Sequence, residues 1–202
     1  MINKNTSEYS LFVEKIDLSV NELEKIVELT TDEQNRYAKL KNEKRKIEWL
    51  GTRYLVQHFY NKNSSIIYND EGKPSLSTGE QISISHSYGV VGVFISNKQY
   101  IGLDIEQKRE KIDRIKHKFL SKSELEFVEN SSNKIETLTS FWSCKEALLK
   151  MYGKTDLIFE EELAVDLSED KIIGEIKTSD FYLKAELNIN IIDEFVVIWG
   201  VE

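Results

Sequence analysis

The sequence predicts an α+β fold: two similar α/β subdomains, residues 1–100 and 101–202, related by a pseudo-twofold axis with a cleft between them. Three observations predict it. Each half opens a helix with a capping-box pattern, Thr31-Asp32-Glu33-Gln34 in one and Ser121-Lys122-Ser123-Glu124 in the other, a hydroxyl followed by Glu or Gln three positions on. Each continues into a Trp-bearing helix, and Glu48-Trp49-Leu50-Gly51-Thr52-Arg53-Tyr54-Leu55-Val56 lies in register with Phe141-Trp142-Ser143-Cys144-Lys145-Glu146-Ala147-Leu148-Leu149. Each closes in strand-like hairpins: Ile82-Ser83-Ile84 and Val90 to Ile95 in the first half, Leu187 to Ile191 and Phe195 to Trp199 in the second. Interfaces of this kind often hold ligands.

Taken in order, the first-half helix carries Arg45, Trp49 and Arg53 at i, i+4 and i+8, so two guanidiniums share a face with an indole between them. Arginine suits bidentate phosphate contacts. The turn Glu71-Gly72-Lys73-Pro74 holds the only proline and leads into Ile82-Ser83-Ile84-Ser85-His86-Ser87, where hydroxyls and an imidazole meet at a strand end. The second half starts with Ile101-Gly102-Leu103-Asp104-Ile105-Glu106. Strand alternation puts Asp104 and Glu106 on one face and turns Ile105 into the core. Six Lys/Arg against two acids follow in Lys108 to Lys118. On the helix over about 139–151, Phe141, Cys144, Leu148 and Met151 form a core stripe, while Trp142, Glu146 and Lys150 form a second face. Lys145 falls at the edge of the apolar stripe, to snorkel or to reach a ligand.

Composition narrows the function. The chain has 202 residues, 40% hydrophobic and 31% charged, ordinary for a globular protein with real cores. No apolar run approaches a membrane span and the start lacks a leader pattern, so the expected location is cytoplasmic. One cysteine excludes an intrachain disulfide and reads as a core residue. The net charge of -8 lies wholly in the second half and argues against general nucleic-acid binding. Two carboxylates, Asp104 and Glu106, with Glu146 as the third, suit a hard cation such as Mg²⁺, or Mn²⁺, that takes its remaining ligands from a substrate's phosphates.

The set Gly72-Lys73-Pro74, Ile84-Ser85-His86-Ser87, Gly102-Leu103-Asp104-Ile105-Glu106 and Trp142-Ser143-Cys144-Lys145-Glu146-Ala147-Leu148-Leu149-Lys150, in this order, resembles the 4′-phosphopantetheinyl transferase superfamily in its larger, pseudo-dimeric Sfp-type form. The resemblance spans about residues 30–155. It implies transfer of the phosphopantetheine arm of coenzyme A to a serine of an apo acyl or peptidyl carrier protein, with release of adenosine 3′,5′-bisphosphate. It also implies Asp104, Glu106 and Glu146 as the Mg²⁺ ligands, Arg45 and His86 at the nucleotide's 3′-phosphate with Arg53 a further candidate, Lys73, Ser85 and Lys150 as coenzyme A contacts, and Lys145 facing the pyrophosphate. The expected general base is Glu146, directly or through a coordinated water, with Glu106 the alternative. The resemblance implies a carrier that is acidic around its serine, so the Lys108 to Lys118 run is the expected dock. A Mg²⁺-dependent nuclease and a non-catalytic coenzyme A or carrier-binding module are the rival readings. Internal duplication predicts a monomer.

Overall fold

The computed structural model describes residues 1–70, 72–154, 156–168 and 171–202; Glu71, at the head of the predicted turn, lies outside them. The chain divides into two compact units, Met1–Lys98 and Gln99–Glu202.

In the first unit, β1 (Ile2–Asn5) and β2 (Tyr9–Lys15) precede α1 (Val20–Ile26), α2 (Thr31–Tyr37) and α3 (Glu43–Leu55), which runs into one π-helical turn, Val56–Tyr60. Four strands follow: β3 (Ile66–Tyr68), β4 (Pro74–Leu76), β5 (Gln81–Ser87) and β6 (Val90–Ser96). Among the described residues they form an antiparallel sheet ordered β1-β2-β6-β5-β4-β3. β6 is buried along its whole length, which its Val-Val-Gly-Val-Phe-Ile run foreshadows. The β5–β6 hairpin turns through Tyr88 and Gly89, both at positive φ (48° and 86°), as a two-residue hairpin loop requires.

In the second unit, β7 (Ile101–Gln107) leads into a 3₁₀ segment, Glu110–Lys118, then α4 (Lys122–Glu129), α5 (Lys134–Tyr152) and a short α6 (Phe159–Glu162). β8 (Leu163–Asp166), β9 (Ile172–Lys177), β10 (Tyr182–Ile192) and β11 (Phe195–Val201) complete it. The sheet order is β7-β11-β10-β9-β8. That repeats β2-β6-β5-β4-β3: in both units the strand that precedes the helices pairs with the last strand, and the intervening strands follow as a meander. The duplication read from the sequence therefore extends to strand order, with β1 an addition to the first unit.

α5 packs over β7 and β11, and its stripe of Phe141, Cys144, Leu148 and Met151 is at most 1% exposed, inside a core that includes Val196 and Ile198. Burial of the lone Cys144 pushes its thiol far above the ordinary range. β10 shows the period-2 pattern, with Leu183, Ala185 and Leu187 buried and Tyr182, Lys184 and Glu186 exposed. α5 ends where Gly153 adopts φ 79° and donates its N–H to Leu149 O.

The capping boxes differ from expectation in one register and matter more than caps usually do. Ser121 and Glu124 cap α4 as predicted, but α2 starts at Thr30 with Glu33, one residue before the predicted Thr31. Both glutamates are buried, and each reaches beyond its cap. Glu33 Oε1 accepts from Arg53 Nε at 3.2 Å and from the Ile66 N–H at 3.3 Å. Glu124 accepts from Lys145 Nζ at 2.8 Å through Oε2 and from the Val165 N–H at 3.0 Å through Oε1. In each unit one carboxylate thus braces a helix cap, a cation on the long helix and the first strand after that helix. No helix of the described residues is long and apolar enough to cross a membrane.

Candidate active site

Glycine sets the spacing of the second unit's polar groups. A Cβ on Gly102 would stand 2.1 Å from Ala147 O, a separation only a bare α-carbon tolerates. β7 therefore lies hard against α5. The helix face predicted at i, i+4 and i+8 meets the carboxylate face of β7 in antiparallel sense. Trp142 Nε1 donates to Glu106 Oε1 at 3.2 Å. Four residues on is Glu146, and at the far end Lys150 Nζ donates to Asp104 Oδ1 at 2.9 Å and to Leu103 O at 2.7 Å. Ile105 is buried on the opposite face of the strand, not in the core shared with α5.

The electrostatics follow from this stacking of charge. Asp104 is 4% exposed. Burial first, then the Asp104 charge, raises Glu106 above the usual carboxylate range. The same two causes push Glu146 up to about 7, with Lys150 opposing and Glu106 adding to the rise. The three predicted metal ligands thus share one field. They do not share a ready coordination sphere: among the described residues, His, Cys, Asp and Glu side chains nowhere gather in threes at metal-holding distance. The physical reasons are that like charges repel and that the Lys150 ammonium engages Asp104. Glu106 and Glu146, raised by burial first and by the Asp104 charge second, are hard oxygen donors whose crowding a divalent cation relieves, and in that sense the residues fit one.

Lys145 is placed otherwise than expected. Its ammonium is fully buried and gives its three protons to Phe119 O (2.6 Å), Glu124 Oε2 (2.8 Å) and Phe159 O (2.9 Å). Burial lowers its proton affinity and Glu124 opposes that. With three donors spent inside the unit, it has none for a pyrophosphate.

The first unit carries a cavity of about 610 Å³ lined by Arg45, Glu48, Trp49, Arg53, His86 and Tyr88 among others. α3 presents Arg45, Trp49 and Arg53 to it as their spacing predicts. Arg45 and His86 are exposed, and His86 Nδ1 lies 3.5 Å from Glu48 Oε2. Arg53 is only a wall: at 2% exposure it pairs with Glu33, donates to Thr52 Oγ1 and Tyr68 OH, and stacks 3.5 Å from the Trp49 ring centroid. Ser85 is buried on the strand face opposite His86. Lys73 sits in the β3–β4 turn, its N–H bonded to Asn69 Oδ1. Neither is among the cavity's described lining residues.

The basic run is a 3₁₀ segment in large part. Lys108 pairs with Glu136, and Lys116 with Asp113 and Glu129, while Lys111, Arg114 and Lys118 are exposed. Next to it, Ile115, Trp142, Leu157, Ile158 and Phe159 line an apolar groove with His117 and Lys118 on its wall.

A profile described as the 4′-phosphopantetheinyl transferase superfamily matches residues 100–186. This stretch is similar to that superfamily. It contains Asp104, Glu106, Lys145, Glu146 and Lys150; Arg45, Arg53, Lys73, Ser85 and His86 precede it. Among curated superfamily members, the chain is 27% identical over 118 residues to the 4′-phosphopantetheinyl transferase AcpT of Escherichia coli O157:H7, covering 54% of this chain and 59% of the relative. It is 26% identical over 116 residues to AcpT of Salmonella typhi, covering 54% and 60%. The chain thus spans about 60% of the length of the curated relatives it matches. The crystal structure of Thermotoga maritima holo-[acyl-carrier-protein] synthase is similar at 17% identity and a TM-score of 0.44, covering 52% of this chain and 62% of that one.

Sequence reasoning missed three contributors. Gly102 announces itself as the one residue without a side chain in an aliphatic strand. Glu33 and Glu124 are readable as capping partners but not as braces, because their other donors lie 20 to 41 positions away. The i, i+4, i+8 spacing puts Trp142 on the right face, yet nothing local marks its indole as the donor to Glu106.

Proposed function

We propose that the protein transfers the 4′-phosphopantetheine arm of coenzyme A to a serine hydroxyl of an apo acyl or peptidyl carrier protein, releasing adenosine 3′,5′-bisphosphate. The observation that carries this reading is the polar face of α5, Trp142, Glu146 and Lys150, laid along Asp104 and Glu106 of β7, within the superfamily stretch. The serine oxygen forms a bond to the β-phosphorus of coenzyme A as the bond from that phosphorus to the bridging oxygen breaks, and the nucleotide departs with the electron pair. Glu146 accepts the serine proton, its carboxyl standing at the surface of α5 beside Asp104 and Glu106 and raised to about 7 by burial and the Asp104 charge in the metal-free fold. Glu106 is the alternative base. Lys150 places positive charge against the diphosphate. Asp104, Glu106 and Glu146 would hold Mg²⁺ or Mn²⁺, which when bound neutralises phosphate charge.

For the first unit we propose that Arg45 and His86 bind the nucleotide's 3′-phosphate in the cavity of α3 and β5, with Arg53 shaping its wall; Lys73 and Ser85 contact coenzyme A elsewhere. Lys145 supports the reaction from inside the fold. The acidic carrier docks on Lys111, Arg114 and Lys118, beside the apolar groove that can take the hydrophobic part of its surface. The enzyme is proposed to work in the cytoplasm as a monomer of 23.5 kDa.

The test is mass spectrometry of an apo carrier incubated with the protein, coenzyme A and Mg²⁺. One added phosphopantetheine is expected, absent with Asp104→Ala or Glu146→Gln. An unmodified carrier with the wild-type protein, across fatty-acid and peptide-synthesis carriers, overturns the proposal.

A further inference from the structure

We infer that Lys145 is a positioning residue that aims Glu106 through Trp142; this rests on the proposed function only in taking Glu106 as part of the active site. The Trp142 indole is held between two rings. Phe119 meets it edge-on at 5.1 Å between centroids, and Phe159 meets it at 5.7 Å with an interplanar angle of 33°. The backbone carbonyls of these same two residues are the acceptors that Lys145 Nζ holds at 2.6 and 2.9 Å. Phe119 ends the 3₁₀ segment and Phe159 begins α6, so two separately arriving stretches of chain are fastened at one ammonium. The third proton goes to Glu124, the brace of the unit.

The geometry makes a directed relay. The clamp fixes the two rings, the rings fix the plane of the indole, and the indole N–H, 3.2 Å from Glu106 Oε1, fixes the carboxylate. A fixed donor on one carboxylate oxygen helps to orient the other, as outer-shell partners do for metal-binding side chains. Lys145 itself touches none of the reacting groups. The arrangement also accounts for a lysine, rather than an apolar side chain, at a fully buried position: three acceptors on three segments need one tetrahedral donor. It explains why Lys145 and Glu146 are adjacent, one facing the fold and the other the site.

The experiment reads the indole directly. The chain has three tryptophans, so ¹⁵N-indole spectra give three signals, and Trp142→Phe assigns the one in question. Because Lys145→Met alone leaves Glu124 buried without its cation, the test variant is the double substitution Lys145→Met/Glu124→Gln, with Glu124→Gln alone as control and circular dichroism to establish folding. The expected result is that exchange protection of the Trp142 indole proton falls about tenfold or more in the double variant, while the Trp49 and Trp199 signals hold. Mn²⁺ affinity, measured by titration without coenzyme A, should weaken about 10-fold both in that variant and in Trp142→Phe, and by no more when all three substitutions are combined. Unchanged protection of the Trp142 indole, or Mn²⁺ losses that add, overturns the inference. A general loss of protection at all three indoles overturns it too, showing a structural role only. Failure of the wild-type protein to modify any carrier, with the indole behaviour as expected, removes the proposed function and leaves the relay intact.

Discussion

Glu146→Gln should stabilise the metal-free protein at neutral and alkaline pH while destroying its activity. The carboxyl titrates at about 7 in the folded chain against an ordinary 4.5, so ionising it costs the folded state about 3.4 kcal/mol at 1.36 kcal/mol per unit. Its side chain is only partly buried, and solvent screening reduces that figure to roughly 1–2 kcal/mol. The sign is set by linkage. Below 4.5 the group is protonated folded and unfolded, and the amide gains nothing; the benefit grows as the unfolded state ionises alone, and is complete above about 7. Thermal melts with a chelator should therefore show the variant melting about 2–6 °C higher at pH 8, with about a quarter of the free-energy gain left at pH 5. Saturating Mg²⁺ should reverse the order, because only the wild type gains from binding. A variant that melts at or below the wild type at pH 8 without metal contradicts the loading of this carboxylate by burial and by Asp104.

Gly102→Ala should cost at least about 3 kcal/mol or force α5 away from β7, visible as a lowered melting temperature together with loss of carrier modification. Arg45→Ala and His86→Ala should raise KM for coenzyme A about 10-fold while leaving KM for 3′-dephospho-coenzyme A unchanged; equal effects on both would place the 3′-phosphate elsewhere. Lys111→Glu/Arg114→Glu should weaken carrier binding about 10-fold in low salt and leave coenzyme A affinity alone, as titration against each ligand would show. Arg53→Met should lower stability by about 3–5 kcal/mol by stranding Glu33 in the interior, measured by denaturant unfolding, and a variant with no such loss would contradict the brace.

The fold was legible because its signals are local. Capping hydroxyls, the 3.6-residue stripe of Phe141, Cys144, Leu148 and Met151, and the alternation of β10 each live within a dozen residues, and each reports its own element. The helix face of Trp142, Glu146 and Lys150 was legible for the same reason. What the residues meet was less so. Lys145 and Arg53 read as ligands because a cation beside a site is chemically apt, yet each is claimed by a glutamate 20 or 21 positions earlier, and no periodicity encodes a partner at that distance. Ser85 and His86 read as one group because they are neighbours, whereas the pleat sends them to opposite faces. The basic run reads as a patch of surplus positive charge, but Lys116 pairs with Asp113 inside the run, and Lys108 and Lys116 also meet Glu136 and Glu129, carboxylates brought by later helices.

The buried capping glutamates also bear on how the protein behaves when crowded. β3 and β8 are the outer strands of their sheets, and outer strands offer dangling amides on which foreign chains can nucleate. Glu33 takes the Ile66 amide and Glu124 the Val165 amide, so on each of these rims one amide is taken by a side chain instead of by another strand. Loss of either carboxylate would expose a template for stacking copies, and clumping on concentration would be its first symptom.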